Sequence, residues 1–138
     1  MRLGLRVRRL PRGGMRTLAA FALASAAAAC DSGRETFTDA SRPIEMRRGA
    51  EFDIALKSNQ STGYQWVLVD SAALAPVRFV AKKYAVPRSI RNRAGAGGTE
   101  TWTFAAPDPG QGEIRLVYKR PWETKPPIER ATFRVRVR

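Results

Sequence analysis

From position 51 to position 57 apolar and polar residues alternate, with Phe52, Ile54 and Leu56 on one parity and Glu51, Asp53, Ala55 and Lys57 on the other. After a polar break at Ser58, Asn59, Gln60, Ser61, Thr62 and Gly63, the alternation resumes, with Tyr64, Trp66 and Leu68 set against Gln65, Val67 and Val69. A period of two puts every second side chain on one face of a strand, so both stretches predict half-buried strands joined by a displayed loop. The Asn, Ser and Thr side chains can bond neighbouring backbone and Gly63 can take a positive φ. The loop can therefore hold a shape without a core of its own.

The rest of the chain reads in the same way. Residues 43 to 49 predict a short first strand and a turn, 72 to 75 a helical turn, and 77 to 84 a strand of mixed periodicity. Residues 99 to 104 predict a strand with Trp102 and Phe104 inward and the threonines outward, followed by strands over 113 to 118 and 131 to 138. Between them, residues 87 to 98 have no periodicity and predict a long, mobile loop, with Arg88, Arg91 and Arg93 ahead of Gly95, Ala96, Gly97 and Gly98. Pro107, Asp108, Pro109 and Gly110 form a turn, and residues 119 to 128 a Pro-rich loop.

About seven short strands with no helix-period segment predict an all-β fold, an immunoglobulin-like antiparallel β-sandwich. The expected core is Phe52, Ile54, Leu56, Trp66, Leu68, Phe79, Trp102, Phe104, Ile114, Leu116, Phe133 and Val135. In the immunoglobulin arrangement the loops at 59 to 63, 87 to 98 and 119 to 128 share one end of the sandwich. Trp122 in the third of these either folds back onto the core or stands out. Pro121 stiffens the backbone before it, and Trp66 and Trp102 already have places on strand faces, so the exposed position is the expected one. An exposed Trp beside Arg120 is a pairing that protein-binding surfaces favour.

The N-terminal segment has a different composition. Arg2, Arg6, Arg8, Arg9, Arg12 and Arg16 precede an apolar run over residues 18 to 29 that ends at Cys30, the pattern of an export signal. The run is shorter than the roughly 20 apolar residues of a membrane-spanning helix. Met15 is an alternative start to Met1, because Met15, Arg16 and Thr17 followed by the apolar run make a compact signal. Ala27, Ala28, Ala29 and Cys30 resemble a bacterial lipobox, with Ala27 where that pattern prefers Leu; ordinary signal cleavage is the alternative. On the lipobox reading, residues 1 to 29 are removed, Cys30 is lipidated, 31 to 42 are a tether and 43 to 138 are the domain. The protein is then exported to the periplasm or cell envelope, and its only membrane attachment is the lipid at Cys30.

Losing the first 29 residues takes six arginines away and lowers the formal net charge from +13 to +7. The remaining cations are dispersed: Arg134, Arg136 and Arg138 alternate with Phe133, Val135 and Val137 on the solvent side of a strand. Nucleic-acid binding would need a basic stripe interleaved with stacking aromatics, so no nucleic-acid partner is expected. Cys30 is the only cysteine and the chain has no histidine, which removes disulfides, Cys-His and Ser-His-Asp chemistry, and the common metal-ligand sets. Glu100, Asp108 and Glu123 read as solvated strand or turn residues, so no enzyme activity, metal or cofactor is expected. Gly95 to Gly98 lead into no helix and are followed by no GK[ST], so they do not form a phosphate loop. They supply either flexibility or close backbone approach to a partner.

Three of these segments resemble the chagasin family of cysteine-peptidase inhibitors. Asn59, Gln60, Ser61, Thr62, Gly63 and Tyr64 are similar to that family's N-P-T-T-G-Y loop, with Gln60 for Pro and Ser61 for Thr. Gly95, Ala96, Gly97, Gly98 and Thr99, followed by Trp102, Thr103 and Phe104, resemble its glycine-rich loop and strand. Arg120, Pro121 and Trp122 match its R-P-W loop. The resemblance covers residues 43 to 138 and implies a monomeric sandwich whose three loops enter the cleft of a papain-like cysteine peptidase, inhibiting it reversibly and without a covalent bond. It further implies that Thr62 and Gly63 cover the nucleophile, that Gly97 and Gly98 give backbone contacts on one side, and that Arg120 and Trp122 dock on the other. Asn59, Ser61, Tyr64, Gly95 and Pro121 complete the expected surface. The alternative is a non-inhibitory envelope lipoprotein that uses the same sandwich to bind another protein.

Overall fold

Phe52 faces Phe104 and Ile54 faces Trp102 across the antiparallel pair β3 (Glu51–Ser58) and β6 (Gly98–Ala105), so the alternation read in the two segments meets on one buried surface. Six further strands complete the fold in this computed structural model: β1 (Glu35–Phe37), β2 (Ile44–Met46), β4 (Gln65–Val69), β5 (Arg78–Ala85), β7 (Gly110–Lys119) and β8 (Glu129–Val137). The structure describes residues 33 to 138. The export signal, the choice of start and the lipidation of Cys30 lie outside the described residues.

The strands form two four-stranded sheets, ordered β1-β3-β6-β5 and β2-β8-β7-β4. In the second sheet Ile114 lies opposite Phe133, Leu68 opposite Leu116, and Trp66 opposite Tyr118. The two inner faces close on Ile44, Phe52, Ile54, Phe104, Ile114 and Phe133, which have no solvent exposure. Each such side chain contributes roughly 1.5 to 3 kcal/mol on burial, enough to hold a domain of this size without a disulfide. Two pairings, β1 with β3 and β2 with β8, are parallel; the remaining four are antiparallel.

Three expectations are corrected. The segment from 31 to 42, read as a tether, contains β1: Phe37 sets its ring edge-on to Phe52 at 6.0 Å, and Arg34 pairs with Glu51 and Asp53. Three residues are too few to display a period. Phe79, expected in the core, keeps 38% of its surface exposed, because β5 is an edge strand. Its ring packs tilted against Trp102 at 5.6 Å and edge-on to Phe104 at 6.1 Å. A bulge at Val80 shifts the β5 register between Phe79 and Ala81, which accounts for the mixed periodicity there. Leu68 is only half-buried on β4, an edge strand of the second sheet. Ile44, Met46, Leu74, Val77 and Val137 join the core instead.

Candidate functional site

The β3–β4 connection is anchored below by a buried acid. Glu100 has no solvent exposure, and its Oε1 accepts from Ser58 Oγ at 2.6 Å, the Trp66 N–H at 3.1 Å and Gln60 Nε2 at 3.4 Å. Lys82 Nζ lies 2.8 Å from the other carboxylate oxygen, donates to the Trp66 carbonyl at 3.0 Å and sits 4.6 Å from the centre of the Trp102 ring. A carboxylate survives burial only when it is paired and hydrogen-bonded; here Lys82 of β5 pairs it and groups at the loop's two ends hydrogen-bond it. Ser58 enters the loop and Trp66 leaves it, so one acid fixes both.

Within the loop, residues 59 to 64, Gln60–Thr62 make one turn of 3₁₀ helix. Thr62 Oγ1 and the Thr62 N–H both donate to the Asn59 carbonyl, Ser61 Oγ donates to Asn59 Oδ1, and the Gly63 N–H donates to the Gln60 carbonyl. Gly63 closes the turn at φ +82°, a conformation that side chains disfavour. The Asn59 N–H donates to the Tyr118 hydroxyl at 2.7 Å. Ser61 and Thr62 remain exposed at the tip.

The third loop, residues 120 to 128, leans on the first. Arg120 Nε donates to the Thr62 carbonyl at 3.0 Å, its guanidinium lies 4.6 Å from the centre of the Tyr64 ring, and Nη1 donates to Glu123 Oε1 at 3.0 Å. That hydrogen bond, with added attraction from Lys125, holds the Glu123 carboxyl below the usual carboxylate range. Trp122 is 70% exposed, yet the rim of its indole rests on Gly63: a Cβ there would come within 2.6 Å of Cη2. Gly63 is thus required twice, by its backbone angle and by Trp122.

The second loop, residues 86 to 97, is a run of three end-to-end turns closed by Ile90 N–H to Pro87 O, Arg93 N–H to Ile90 O and Ala96 N–H to Arg93 O. It joins the others where Asn59 Nδ2 donates to the Gly95 carbonyl at 3.0 Å. Gly95 has φ +72° with open space around it. Gly98 has a packing reason to be glycine, since a Cβ would strike the Ala85 carbonyl and the Tyr84 ring. At Gly97 a Cβ would meet only ordinary contacts.

All eleven residues expected at the surface therefore lie on one end of the sandwich: Asn59, Ser61, Thr62, Gly63 and Tyr64 on the first loop, Gly95 and Gly97 on the second with Gly98 where it enters β6, and Arg120, Pro121 and Trp122 on the third. The hydrogen bonds from Asn59 and Arg120 and the Gly63–Trp122 contact join the three loops. Arg120, half-exposed, bonds back to the Thr62 carbonyl and to Glu123 and so braces the loops. Glu100, expected to be solvated, is buried. Its parity with Trp102 and Phe104 carried that information, whereas the Val80 bulge hid the matching inward position of Lys82. Among the described residues no group of three His, Cys, Asp or Glu is placed to hold a metal.

The chain matches the description "Chagasin family peptidase inhibitor I42" over residues 45 to 137, a span that contains all three loops. Amoebiasin-1 of Entamoeba histolytica is 33% identical over 95 residues, covering 68% of this chain and 86% of that protein. The fold is similar to the crystal structure of the cysteine protease inhibitor EhICP2 from Entamoeba histolytica, at TM-score 0.61 and 21% identity over 75% of this chain and 95% of that one. It is also similar to PbICP-C in its complex with falcipain-2, at TM-score 0.54 and 20% identity over 76% and 89%. This chain belongs to the chagasin family, whose members inhibit peptidases and are not themselves enzymes.

Proposed function

We propose that the protein is a reversible, non-covalent inhibitor of papain-like cysteine peptidases, and that the three joined loops enter and occlude the active-site cleft. The observation that carries this reading is the continuity of the loop edge. Arg120 and Asn59 tie the first loop to its neighbours on either side, and Trp122 stands exposed beside the Thr62–Gly63 tip. A plug whose loops are already ordered loses little conformational entropy on binding. An exposed Trp held against a glycine offers a rigid anchor for the cleft wall.

The first loop also explains how a peptide segment can fill a peptidase cleft and survive. A 3₁₀ turn whose carbonyls at Asn59 and Gln60 are engaged internally presents no extended bond to the nucleophile. Thr62 and Gly63 then cover the thiol, Gly97 lies along one wall, and Trp122 docks on the other, with Arg120 as the brace that positions it. PbICP-C, of similar fold, forms a complex with falcipain-2. In this proposal the inhibitor acts at the cell envelope, attached through Cys30; an intact mass lacking a lipid on the mature N-terminus would remove the attachment.

Titration of papain with the purified protein tests the reading. Activity is expected to fall linearly to one equivalent and to return on dilution. No inhibition at micromolar concentration would leave the sandwich as a non-inhibitory protein-binding module.

A further inference from the structure

The three loops differ in charge. The first contains no Lys, Arg, Asp or Glu, and the third carries Arg120 and Lys125 with Glu123. In the third loop the charges meet: Arg120 and Lys125 lie 3.0 and 3.7 Å from Glu123 oxygens. The second loop has Arg88, Arg91 and Arg93 and no carboxylate between residues 86 and 97. All three arginines are exposed, and none takes part in a salt bridge among the described residues.

The backbone that carries these cations is ordered by turns. Arg88 and Arg91 occupy the same corner of two successive turns, and Arg93 closes the second turn and opens the third. The Asn59 hydrogen bond to Gly95 fixes the end of this run beside the first loop. A loop kept soluble by charge mixes both signs. One sign, unpaired, at the rim of an edge whose other charges are paired is the arrangement that steers an oppositely charged partner.

We propose that Arg88, Arg91 and Arg93 form a selectivity rim that favours papain-like peptidases with an acidic cleft wall beside the catalytic cysteine. The inference rests on the inhibitory reading above and names the kind of partner it serves. The guanidinium groups accelerate encounter and orient it before the first loop seats. Rim charges act mainly on the association rate and its salt dependence.

The test is stopped-flow association with an acidic-walled papain-like peptidase at low and high salt. The partners are the protein, its Arg88→Gln/Arg91→Gln/Arg93→Gln variant, and a peptidase variant whose wall carboxylates are changed to amides. At low salt the triple variant is expected to associate about tenfold more slowly, with dissociation nearly unchanged. The difference should vanish near 1 M salt, where the screening length is about 3 Å. The unmodified protein should lose the same advantage against the amide peptidase, a comparison that needs no inhibitor variant to fold. Salt-independent association with inhibition intact overturns the selectivity rim alone, as does equal slowing of the triple variant on acidic and amide peptidases. No inhibition of either peptidase by the unmodified protein overturns the inhibitory reading itself.

Discussion

The first loop leaves β3, the second enters its neighbour β6, and the two are built on opposite plans. The first is hydrogen-bonded within itself, clamped by Arg120 from above and seated on the buried Glu100–Lys82 pair. The second is stitched by its own turns and, among the described residues, reaches its neighbour through the one side-chain bond from Asn59. The difference teaches a division of labour at the edge. The segment whose shape must survive insertion is wired to the core, and the segment that carries charge is wired lightly because charge acts at a distance.

Removing the cation beneath the first loop breaks the comparison most sharply. Lys82→Met leaves the fully buried Glu100 carboxylate without its partner, and loss of one member of a buried pair costs about 3 kcal/mol. A urea midpoint should fall accordingly, and hydrogen exchange should quicken at Trp66 and Gly63 while the turns of the second loop keep their protection. An unchanged midpoint would show that Ser58 and the Trp66 N–H suffice to hold Glu100.

Trp122→Ala comes next and separates binding from folding. With 70% of the side chain exposed, truncation should weaken inhibition by about 2 kcal/mol and shift the urea midpoint little. Parallel losses in both would make Trp122 part of the core. Asn59→Ala follows at about 1 kcal/mol, since it removes the bond to Gly95 and an acceptor for Ser61. Its expected mark is faster exchange in residues 87 to 96 with the 3₁₀ turn intact. Loss of protection in both loops together would make them one cooperative unit.

Much of this contrast was legible before any coordinates. Period-two alternation located β3, β4, β6, β7 and β8, and the turn residues between them located the loops. The immunoglobulin order then brought those loops to one end. What stayed hidden was hidden for physical reasons. β1 is too short to show a period, and a bulge at Val80 put Lys82 on the inner face against the apparent pattern. Glu100 had the inward parity of Trp102 and Phe104, but charge argued for solvent, and only the three-dimensional meeting of Ser58, Gln60, Trp66 and Lys82 reverses that argument. The bracing contacts of Arg120 were hidden too, because nothing in a linear motif shows a guanidinium bonded back to Thr62 and set over Tyr64.

The smallest expected effect concerns acid. The Arg120 hydrogen bond, with Lys125, holds the Glu123 carboxyl below its usual range, so the folded value lies under the unfolded one of about 4.3. A depressed carboxylate contributes stability above its unfolded value and loses it as pH falls through the folded value. The Arg120–Glu123 contact therefore persists above the ordinary glutamate value and dissolves as pH falls below it, through the lowered folded value. Comparison of thermal melts of the protein and its Glu123→Gln variant isolates this one group from other carboxylates. The natural protein should melt slightly higher at pH 6, because a partly exposed pair near the surface contributes little, and the two curves should merge in strong acid. If the gap persists unchanged at low pH, the Gln variant has lost packing rather than charge, and the third loop is braced against the first by Arg120 and Thr62 alone.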